Sequence, residues 1–149
     1  MIVERAAEAS DELGAALIRL LPQLSPDRKA PSPDEIRELL AQPGMRLLVA
    51  RDDGGAIVGM LALLVYRIPT GLMARIDDVV VDEAARGRGV GAALTREALR
   101  IATEEGARHV TLTSRPERAA ANRLYVRLGF ERRETNVYVW RGPETSRQP

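Results

Sequence analysis

Residues 76–94 read I-D-D-V-V-V-D-E-A-A-R-G-R-G-V-G-A-A-L, and the rest of the chain is organised around them. The three valines at 79–81 are apolar and β-branched, which indicates a buried strand. A loop with Gly87, Gly89 and Gly91 follows at once, and then a helical pattern begins. Glycines let a backbone approach a ligand closely, and the first N–H groups of a helix have no partner within it. The stretch therefore predicts an anion site of the kind that holds phosphate groups.

Two nucleotide-binding motifs can be tested against this loop, to which Arg86 and Arg88 add positive charge. A P-loop requires Lys followed by Ser or Thr after its last glycine, and the loop has no such pair. The relaxed dinucleotide fingerprint G-x-G-x-x-A is matched at 87–92. That motif needs an acidic residue about 20 positions further on, and residues 111–115 read T-L-T-S-R. Neither nucleotide fold is indicated.

A third pattern fits this loop and a second stretch downstream. The sequence Arg86-x-x-Gly89-x-Gly91 resembles the acyl-CoA pyrophosphate loop, Q/R-x-x-G-x-G/A, of the GNAT superfamily of N-acetyltransferases. Residues 121–130, A-N-R-L-Y-V-R-L-G-F, are similar to the A-N-x-x-Y-x-x-x-G-F helix of the same superfamily. The two motifs occur in the expected order and spacing, which makes them more specific together than either is alone.

The resemblance implies an α+β fold in which a central mixed β-sheet is flanked by helices in a single domain. The domain is expected over residues 1–141, with a disordered tail at 142–149. Hydrophobic periodicity alone gives nearly the same element order as the resemblance. Strands are expected at 2–6, 46–51, 57–67, 73–81, 109–113, 130–133 and 136–140, the last two as a closing hairpin. Helices are expected at 11–21, 33–42, 90–105 and 118–128.

Local signals set several of these helix ends. Ser10 precedes the first helix as its N-cap, and Pro22 is expected to end that helix. The sequence S-P-D-E at 32–35 puts Pro at the first position of the second helix and Glu at the third. The loop between these helices holds three prolines and is a candidate for ordering over a substrate. Gly106 and Gly129 are expected to terminate the two later helices.

Composition narrows the function further. The 149 residues suit one domain, and no apolar run approaches the ~18 residues of a membrane span. The N-terminus shows no basic region followed by an apolar one, so no secretory signal is indicated. The chain has no cysteine and one histidine, His109, which rules out thiolate and multi-histidine metal sites. We expect a cytoplasmic protein without a metal and without a membrane partner.

The charge of the chain is balanced overall but uneven along its length. A net charge of +1 disfavours a nucleic-acid partner held by a broad basic surface. Residues 1–85 carry a net charge of −5, whereas residues 86–133 carry +6. Solvated helix faces explain much of this difference. The basic half nevertheless contains both motifs, and CoA brings a pyrophosphate and a ribose phosphate.

The resemblance also implies roles for individual residues. Backbone N–H groups of Val79 and Val81 would lie along the pantetheine and thioester of acetyl-CoA. Asn122 would contact the pantetheine arm, and Tyr125 would stand beside the sulfur as general acid. As alternatives, Asn122 is a polar helix residue and Tyr125 an ordinary core aromatic. The pyrophosphate would be held by the loop, namely by Arg86, Gly87, Arg88, Gly89, Val90 and Gly91.

A general base is harder to assign. Asp77 and Asp78 lie on the central strand and are expected to point to opposite faces of it. Many relatives carry Glu at the position of Asp77, where it serves the amine directly or through water. Alternatively, the acidic pair binds a cationic amine without proton transfer or caps the end of the strand.

These features predict an acetyl-CoA-dependent N-acetyltransferase in which an amine attacks the thioester directly within a ternary complex. The competing hypothesis is a non-catalytic acyl-CoA-binding or sensing module with the same fold. Small amines, antibiotics, amino acids, polyamines and protein N-termini all remain open as acceptors, and so does a homodimer.

Overall fold

A five-stranded mixed sheet forms the centre of the computed structural model, which describes residues 1–143. The strands lie side by side in chain order, and β1 to β4 run antiparallel to one another. The last strand runs parallel to its neighbour, so the sheet is mixed as predicted. The strands are β1 (Ile2–Arg5), β2 (Met45–Arg51), β3 (Ile57–Ile68), β4 (Gly71–Val81) and β5 (Val110–Thr111).

Four α-helices flank this sheet, which confirms the predicted fold class in a single domain. They are α1 (Asp11–Leu24), α2 (Pro33–Ala41), α3 (Val90–Glu104) and α4 (Ala119–Arg127), with a 3₁₀ turn at Glu83–Ala85. None of the helices within residues 1–143 is long and apolar enough to cross a lipid bilayer.

The predicted helix starts are confirmed by their hydrogen bonds. The Ser10 hydroxyl accepts a hydrogen bond from the backbone N–H of Leu13 at 3.1 Å. Ser32 and Glu35 form a reciprocal capping box, in which each side chain accepts from the other residue's backbone N–H. Such caps satisfy N–H groups that have no partner within the helix. Gly106 and Gly129 follow the ends of α3 and α4 in left-handed backbone conformations.

The prediction that Pro22 ends the first helix is wrong, because α1 continues through it to Leu24. A proline removes one helical hydrogen bond, but the last turn has contacts that compensate for this loss. The side-chain amide of Gln23 donates to the backbone oxygen of Arg19 at 3.2 Å. Ser25 donates its N–H to the oxygen of Leu21 at 3.0 Å. These contacts were not predicted from the sequence.

Apolar side chains fill both faces of the sheet. One set, the α3-side cluster, lies between the sheet and α3 and includes Leu48, Leu61, Leu63, Ile76, Val90 and Leu94. The other, the α1-side cluster, lies under α1 and α2 and includes Leu13, Leu17, Leu20, Ile36, Val49 and Val80. Gly59 lets α3 approach β3, since a Cβ atom there would stand 2.9 Å from Cγ1 of Val90. This close approach fixes the first turn of α3 over the sheet.

The C-terminal part of the chain departs most from the sequence prediction. Strand β5 covers two residues of the five expected at 109–113. The hairpin expected at 130–133 and 136–140 is absent from the described residues, and all residues from 131 to 141 are exposed. A hairpin needs a sheet edge or a core to pack on, and β5 offers only two paired residues. Residues 144–149, where most of the disordered tail was expected, lie outside the described residues.

Candidate active site

An irregularity near the end of β4 shapes the centre of the predicted site. On β3, Leu61 stands opposite two residues of β4, Asp78 and Val79, where regular pairing would give it one. Asp78 has a φ of +49°, the left-handed region that side chains other than glycine rarely adopt. This arrangement is a β-bulge, which leaves the extra residue outside the ladder and bends the strand.

The bulge changes which side chains of β4 share a face. Ile76 belongs to the α3-side cluster, whereas Val80 belongs to the α1-side cluster. Strict alternation would put residues 76 and 80 on the same face. Beyond the bulge, Val79 and Val81 pack against the α3-side cluster. The sequence prediction assumed regular alternation and therefore missed this change of face.

Asp77 lies directly before the bulge, on the face of the sheet that α1 and α2 cover. It stands opposite Ala62, which packs against the α1-side cluster. Its Oδ2 accepts a hydrogen bond from Nε of Arg75 at 2.8 Å, and both side chains are about half exposed. This hydrogen bond, together with the charge of Asp77, raises the pKa of the Arg75 guanidinium. This ion pair was not predicted from the sequence.

The glycine loop opens directly onto the N-terminus of α3. Gly87 and Gly89 have φ values of +77° and +80°, which favour glycine strongly. No atom lies within 4 Å of the position that a Cβ would take at either residue, so both face open space. Gly89 is the N-cap of α3 and offers no side chain to its first N–H groups. These donors are therefore available to an anion.

Two exposed arginines flank the same loop. Arg86 donates from Nε to the backbone oxygen of Val81 at 3.4 Å, and Arg88 is exposed beside it. The side chain of Val90 is buried under α3, so this residue can offer a ligand only its backbone N–H. The loop thus combines positive side chains with unpartnered backbone donors, an arrangement that suits a polyphosphate.

Helix α4 carries the other two predicted site residues. The side-chain amide of Asn122 donates to the backbone oxygen of Arg115 at 2.9 Å and so joins the start of α4 to the preceding loop. The ring of Tyr125 meets that of Phe130 edge to face at 5.8 Å. Burial raises the pKa of the Tyr125 phenol, and the nearby charge of Arg118 only partly opposes this shift. The phenol therefore stays protonated at neutral pH.

The two motifs that the sequence analysis singled out meet in the structure. A Cβ atom on Gly91 would stand 3.4 Å from Cδ2 of Leu124 and 3.7 Å from Cγ2 of Val81. The first turn of α3, the end of β4 and the middle of α4 therefore converge at residue 91. Asn122 and Tyr125 flank Leu124 on α4, whereas Asp77 lies across the sheet from this contact.

The C-terminal half of α1 forms a further wall that sequence reasoning missed. Arg19 donates from Nε to Oδ2 of Asp82 at 2.9 Å, which lowers the pKa of that carboxyl. Gln23 accepts from the N–H of Glu83 at 2.8 Å. Arg118 donates to the backbone oxygen of Leu24 at 3.3 Å. These bonds tie α1 to the loop before α3 and to the start of α4, and no motif spacing could have revealed them.

A further polar group was also missed. The hydroxyl oxygen of Ser114 is buried and has no hydrogen-bond partner among the described residues. Ser114 follows β5, whose pairing with β4 ends at Thr111. Buried polar atoms without a partner are rare in proteins and often face a ligand or an ordered water.

Cavities elsewhere do not coincide with this region. A cavity of about 310 Å³ lies near the N-terminus of α1, between Glu4, Ser10, Leu13 and Arg51, and contains none of the predicted site residues. Within residues 1–143 no group of three or more His, Asp and Glu side chains is placed to hold a metal ion.

Comparison with known proteins shows a consistent similarity. A sequence model of the acetyltransferase (GNAT) family matches residues 14–130. Glucosamine 6-phosphate N-acetyltransferase 1 of Oryza sativa subsp. japonica is 31% identical over 138 residues, which cover 86% of this chain and 79% of that protein. Mycothiol acetyltransferase of Amycolatopsis mediterranei is 44% identical over 63 residues, or 42% of this chain and 21% of that protein. For four of the curated relatives, the match spans only 21% to 40% of the relative's length.

Solved structures give the same result for the fold. An acetyltransferase from Trypanosoma brucei superposes with a TM-score of 0.76 at 26% identity, covering 93% of this chain and 97% of that one. An aminoglycoside acetyltransferase from an uncultured soil sample, in complex with sisomicin, superposes with a TM-score of 0.81 at 22% identity and covers 96% of both chains. The latter similarity shows the shared fold alone.

Proposed function

This chain belongs to the GNAT family of acetyltransferases, and from that premise we propose that it transfers the acetyl group of acetyl-CoA to an amine within a ternary complex. The observation that carries this proposal is the contact between Gly91 and Leu124. It holds the helix of the proposed general acid against the loop that would bind the pyrophosphate. A shared cleft for a phosphorylated thioester follows from this arrangement.

The residues of the loop fit the phosphates of CoA. Gly87 and Gly89 leave open space above their backbones, and the first turn of α3 has no side-chain cap. The backbone N–H groups of this turn would bind the pyrophosphate together with Arg86 and Arg88. The buried Ser114 hydroxyl, which lacks a partner in the described chain, would bond a polar group of the pantetheine arm.

When bound, acetyl-CoA supplies an activated acetyl thioester, and the residues of the chain orient it and move protons. The backbone N–H groups of Val79 and Val81, beside the bulge, would orient the acyl end. Asp77 would take a proton from the acceptor ammonium, directly or through water, at Oδ1, because Arg75 engages Oδ2. Tyr125 would donate its proton to the sulfur as the bond between acetyl and sulfur breaks. A phenol whose pKa is at or above its ordinary value of about 10 carries that proton at neutral pH.

Amino sugars are the first acceptors to test, because a relative that matches most of this chain is named for glucosamine 6-phosphate. An aminoglycoside enzyme also shares its fold. On this chain, the ion pair of Asp77 and Arg75 holds a carboxylate and a guanidinium side by side beside the bulge of β4, where the acceptor would bind. A carboxylate suits an ammonium group, and a guanidinium suits an acidic or hydroxylated substituent.

The experiment is a measurement of thiol release from acetyl-CoA with a panel of amines. The panel includes glucosamine 6-phosphate, sisomicin, a polyamine and a peptide with a free N-terminus. We expect release with at least one acceptor and a product heavier by one acetyl group in mass spectrometry. Binding of acetyl-CoA without release for the whole panel would instead favour the non-catalytic binding module. Failure to bind acetyl-CoA at all would overturn both hypotheses.

A further inference from the structure

Polar side chains from three neighbouring strands share one face of the sheet beside the bulge. On β4, Arg75 and Asp77 form an ion pair, and Asp77 stands opposite Ala62 of the α1-side. On β3, Tyr66 lies two residues beyond the partner of Arg75 and therefore points to the same face. On β5, Thr111 is the direct partner of Arg75. We call these four side chains the polar floor: Tyr66, Arg75, Asp77 and Thr111.

The neighbours of the polar floor support these orientations. Val65, Val110 and Leu112 pack against the α3-side cluster, so the residues next to them in the chain face the other side of the sheet. The side chains of Arg75 and Asp77 are about half exposed. Solvent therefore reaches both charges, and a small molecule that approaches Asp77 also meets Arg75.

The guanidinium of Arg75 uses only part of its capacity for hydrogen bonds. Its Nε donates to Oδ2 of Asp77 at 2.8 Å, and within residues 1–143 neither Nη atom donates to a protein group. The pKa of Arg75 is raised chiefly by Asp77 and to a smaller extent by the phenol of Tyr66, so this phenol lies near the guanidinium. The two Nη atoms form a planar fork that suits a carboxylate or a phosphate. Arg75 can therefore hold Asp77 and an external anion at once.

The proton transfer proposed for Asp77 changes the charge balance of the polar floor. Before the transfer, the carboxylate of Asp77 and the guanidinium of Arg75 neutralise each other. When Asp77 takes a proton from the acceptor ammonium, it becomes neutral and the guanidinium loses its counter-ion. A partly buried charge without a partner is unfavourable. An anionic group on the acceptor would replace the counter-ion that the proton transfer removes.

We propose that Arg75 and Thr111 form an anion subsite, and that the acceptor is an amine that also carries a carboxylate or a phosphate. This inference rests on the proposed transfer to an amine and specifies the class of acceptor. The Thr111 hydroxyl would donate to the same anion. Alternate residues of a strand are roughly 7 Å apart, so several bonds separate the amine at Asp77 from the anion at Arg75. This spacing favours ω-amino acids and phosphorylated amino sugars over α-amino acids and polyamines.

The first test compares acceptors that differ only in the anionic group. Acetyl transfer by the intact protein is measured for 5-aminopentanoate against pentylamine and for glucosamine 6-phosphate against glucosamine. We expect the anionic member of at least one pair to have a kcat/KM higher by about tenfold or more. The two pairs distinguish a carboxylate from a phosphate. Equal transfer within both pairs would overturn the inference and leave the proposed function intact, whereas no transfer to any acceptor would remove both.

The second test assigns this preference to Arg75. The readout is the ratio of kcat/KM within a pair, because an effect of Arg75 on Asp77 alone changes both members equally. Arg75→Gln should bring the ratio close to one, and Thr111→Val should lower it by a smaller factor. Arg67→Gln is the matched control, because Arg67 is exposed on the other face of β3 and should keep the wild-type ratio. Circular dichroism verifies that each variant is folded. If Arg75→Gln kept the wild-type ratio, Arg75 would only position Asp77 and the anion subsite would be refuted.

Discussion

Leu124 of α4 and Gly91 of α3 approach so closely that a Cβ atom on residue 91 would stand 3.4 Å from the Leu124 side chain. A Cβ atom at this distance would be in ordinary van der Waals contact, so α3 and α4 pack directly against each other at residue 91. This contact joins the loop proposed for phosphates to the helix that carries the proposed general acid.

Gly89→Val should weaken acetyl-CoA binding by tenfold or more. Residue 89 has a φ of +80°, which costs a residue with a Cβ atom roughly 1–2 kcal/mol. Relaxation of the loop would also misplace charge-assisted hydrogen bonds that contribute about 1.5–3 kcal/mol each. Gly55→Val is the matched control, because Gly55 has a φ of +86° in open space between β2 and β3. Calorimetry should show that Gly55→Val loses about as much stability as Gly89→Val but keeps the wild-type affinity for acetyl-CoA. Equal affinity of both variants would refute the loop assignment.

Asp77→Asn should lower turnover by about 10²- to 10⁴-fold if Asp77 moves the acceptor proton. Affinity for acetyl-CoA should stay nearly constant, since Asp77 lies on the opposite face of the sheet from Val79 and Val81. Stability should change little, because the ion pair with Arg75 is about half exposed. Asp34→Asn removes an exposed ion pair with Arg37 and should leave turnover unchanged. An unaltered pH–rate profile for Asp77→Asn would exclude Asp77 from the mechanism.

Tyr125→Phe should reduce kcat by about 10²- to 10⁴-fold and leave the KM for acetyl-CoA nearly unchanged. The phenyl ring keeps its contact with Phe130, so stability should barely change. Tyr138→Phe is the control, because Tyr138 is exposed and far along the chain from the site. Single-turnover measurement is required where product release limits the rate. Transfer at the wild-type rate by Tyr125→Phe would return Tyr125 to a packing role.

The pH dependence provides an independent check on Tyr125. Burial raises the pKa of the phenol above its ordinary value near 10, so the acid form persists to a higher pH than in a free tyrosine. The rate should therefore fall on the alkaline side only above about pH 10. That alkaline limb should be missing from the residual activity of Tyr125→Phe. If the alkaline fall in rate remained in Tyr125→Phe, it would arise from the titration of another group.

Arg19→Gln should destabilise the fold by roughly 1 kcal/mol at pH 7, because it removes the ion pair with Asp82 and a bond to the backbone oxygen of Ile57. The pKa of Asp82 lies below 3.8 in the folded state, so this stabilisation is present above about pH 4. The part that comes from the ion pair should disappear as the pH falls through the folded-state pKa of Asp82, whereas the bond to Ile57 does not titrate. Urea denaturation at pH 7 and pH 3 measures the difference. Arg37→Gln breaks an exposed ion pair and should have a much smaller effect on the free energy of unfolding. If wild type and Arg19→Gln differed in this free energy by the same amount at pH 7 and pH 3, the Asp82 carboxylate would have no part in the stabilisation.

Sequence patterns predicted the structure correctly where the interactions that determine it join residues close together in the chain. Ser10 and Ser32 cap their helices through side chains three residues from their partners, so the pattern alone was sufficient. Pro22 failed as a stop signal because, besides its local bonds, its turn is held by Glu83 and Arg118, which bond to residues 60 and 94 positions away from them. The hairpin expected after Phe130 failed for a related reason. Its residues favour strands, but a strand forms only where another strand pairs with it.

The residues of the candidate site also divide into those that local sequence patterns predicted and those that they did not. The spacing of Gly87, Gly89 and Gly91 was sufficient to predict a loop at a helix start, since a left-handed backbone is a property of single residues. The pair formed by Arg75 and Asp77 depends on alternation within one strand and was open to inference, but arginine is so abundant that it stood out poorly. The unpartnered hydroxyl of Ser114 had no sequence signal at all.

The bulge at Asp78 determines which face of the sheet each following side chain of β4 points to. Residues 79–81 are three identical valines, so a slip by one position would exchange one valine for another and would not change side-chain chemistry. Only the extra residue at Asp78 determines which valine faces which helix. If Asp78 took a regular place in the ladder, Val80 would move from the α1-side to the α3-side; deleting Asp78 removes the bulge and leaves each valine on its present face. An alignment that counts Asp78 as a regular strand residue would therefore assign each valine to the wrong face.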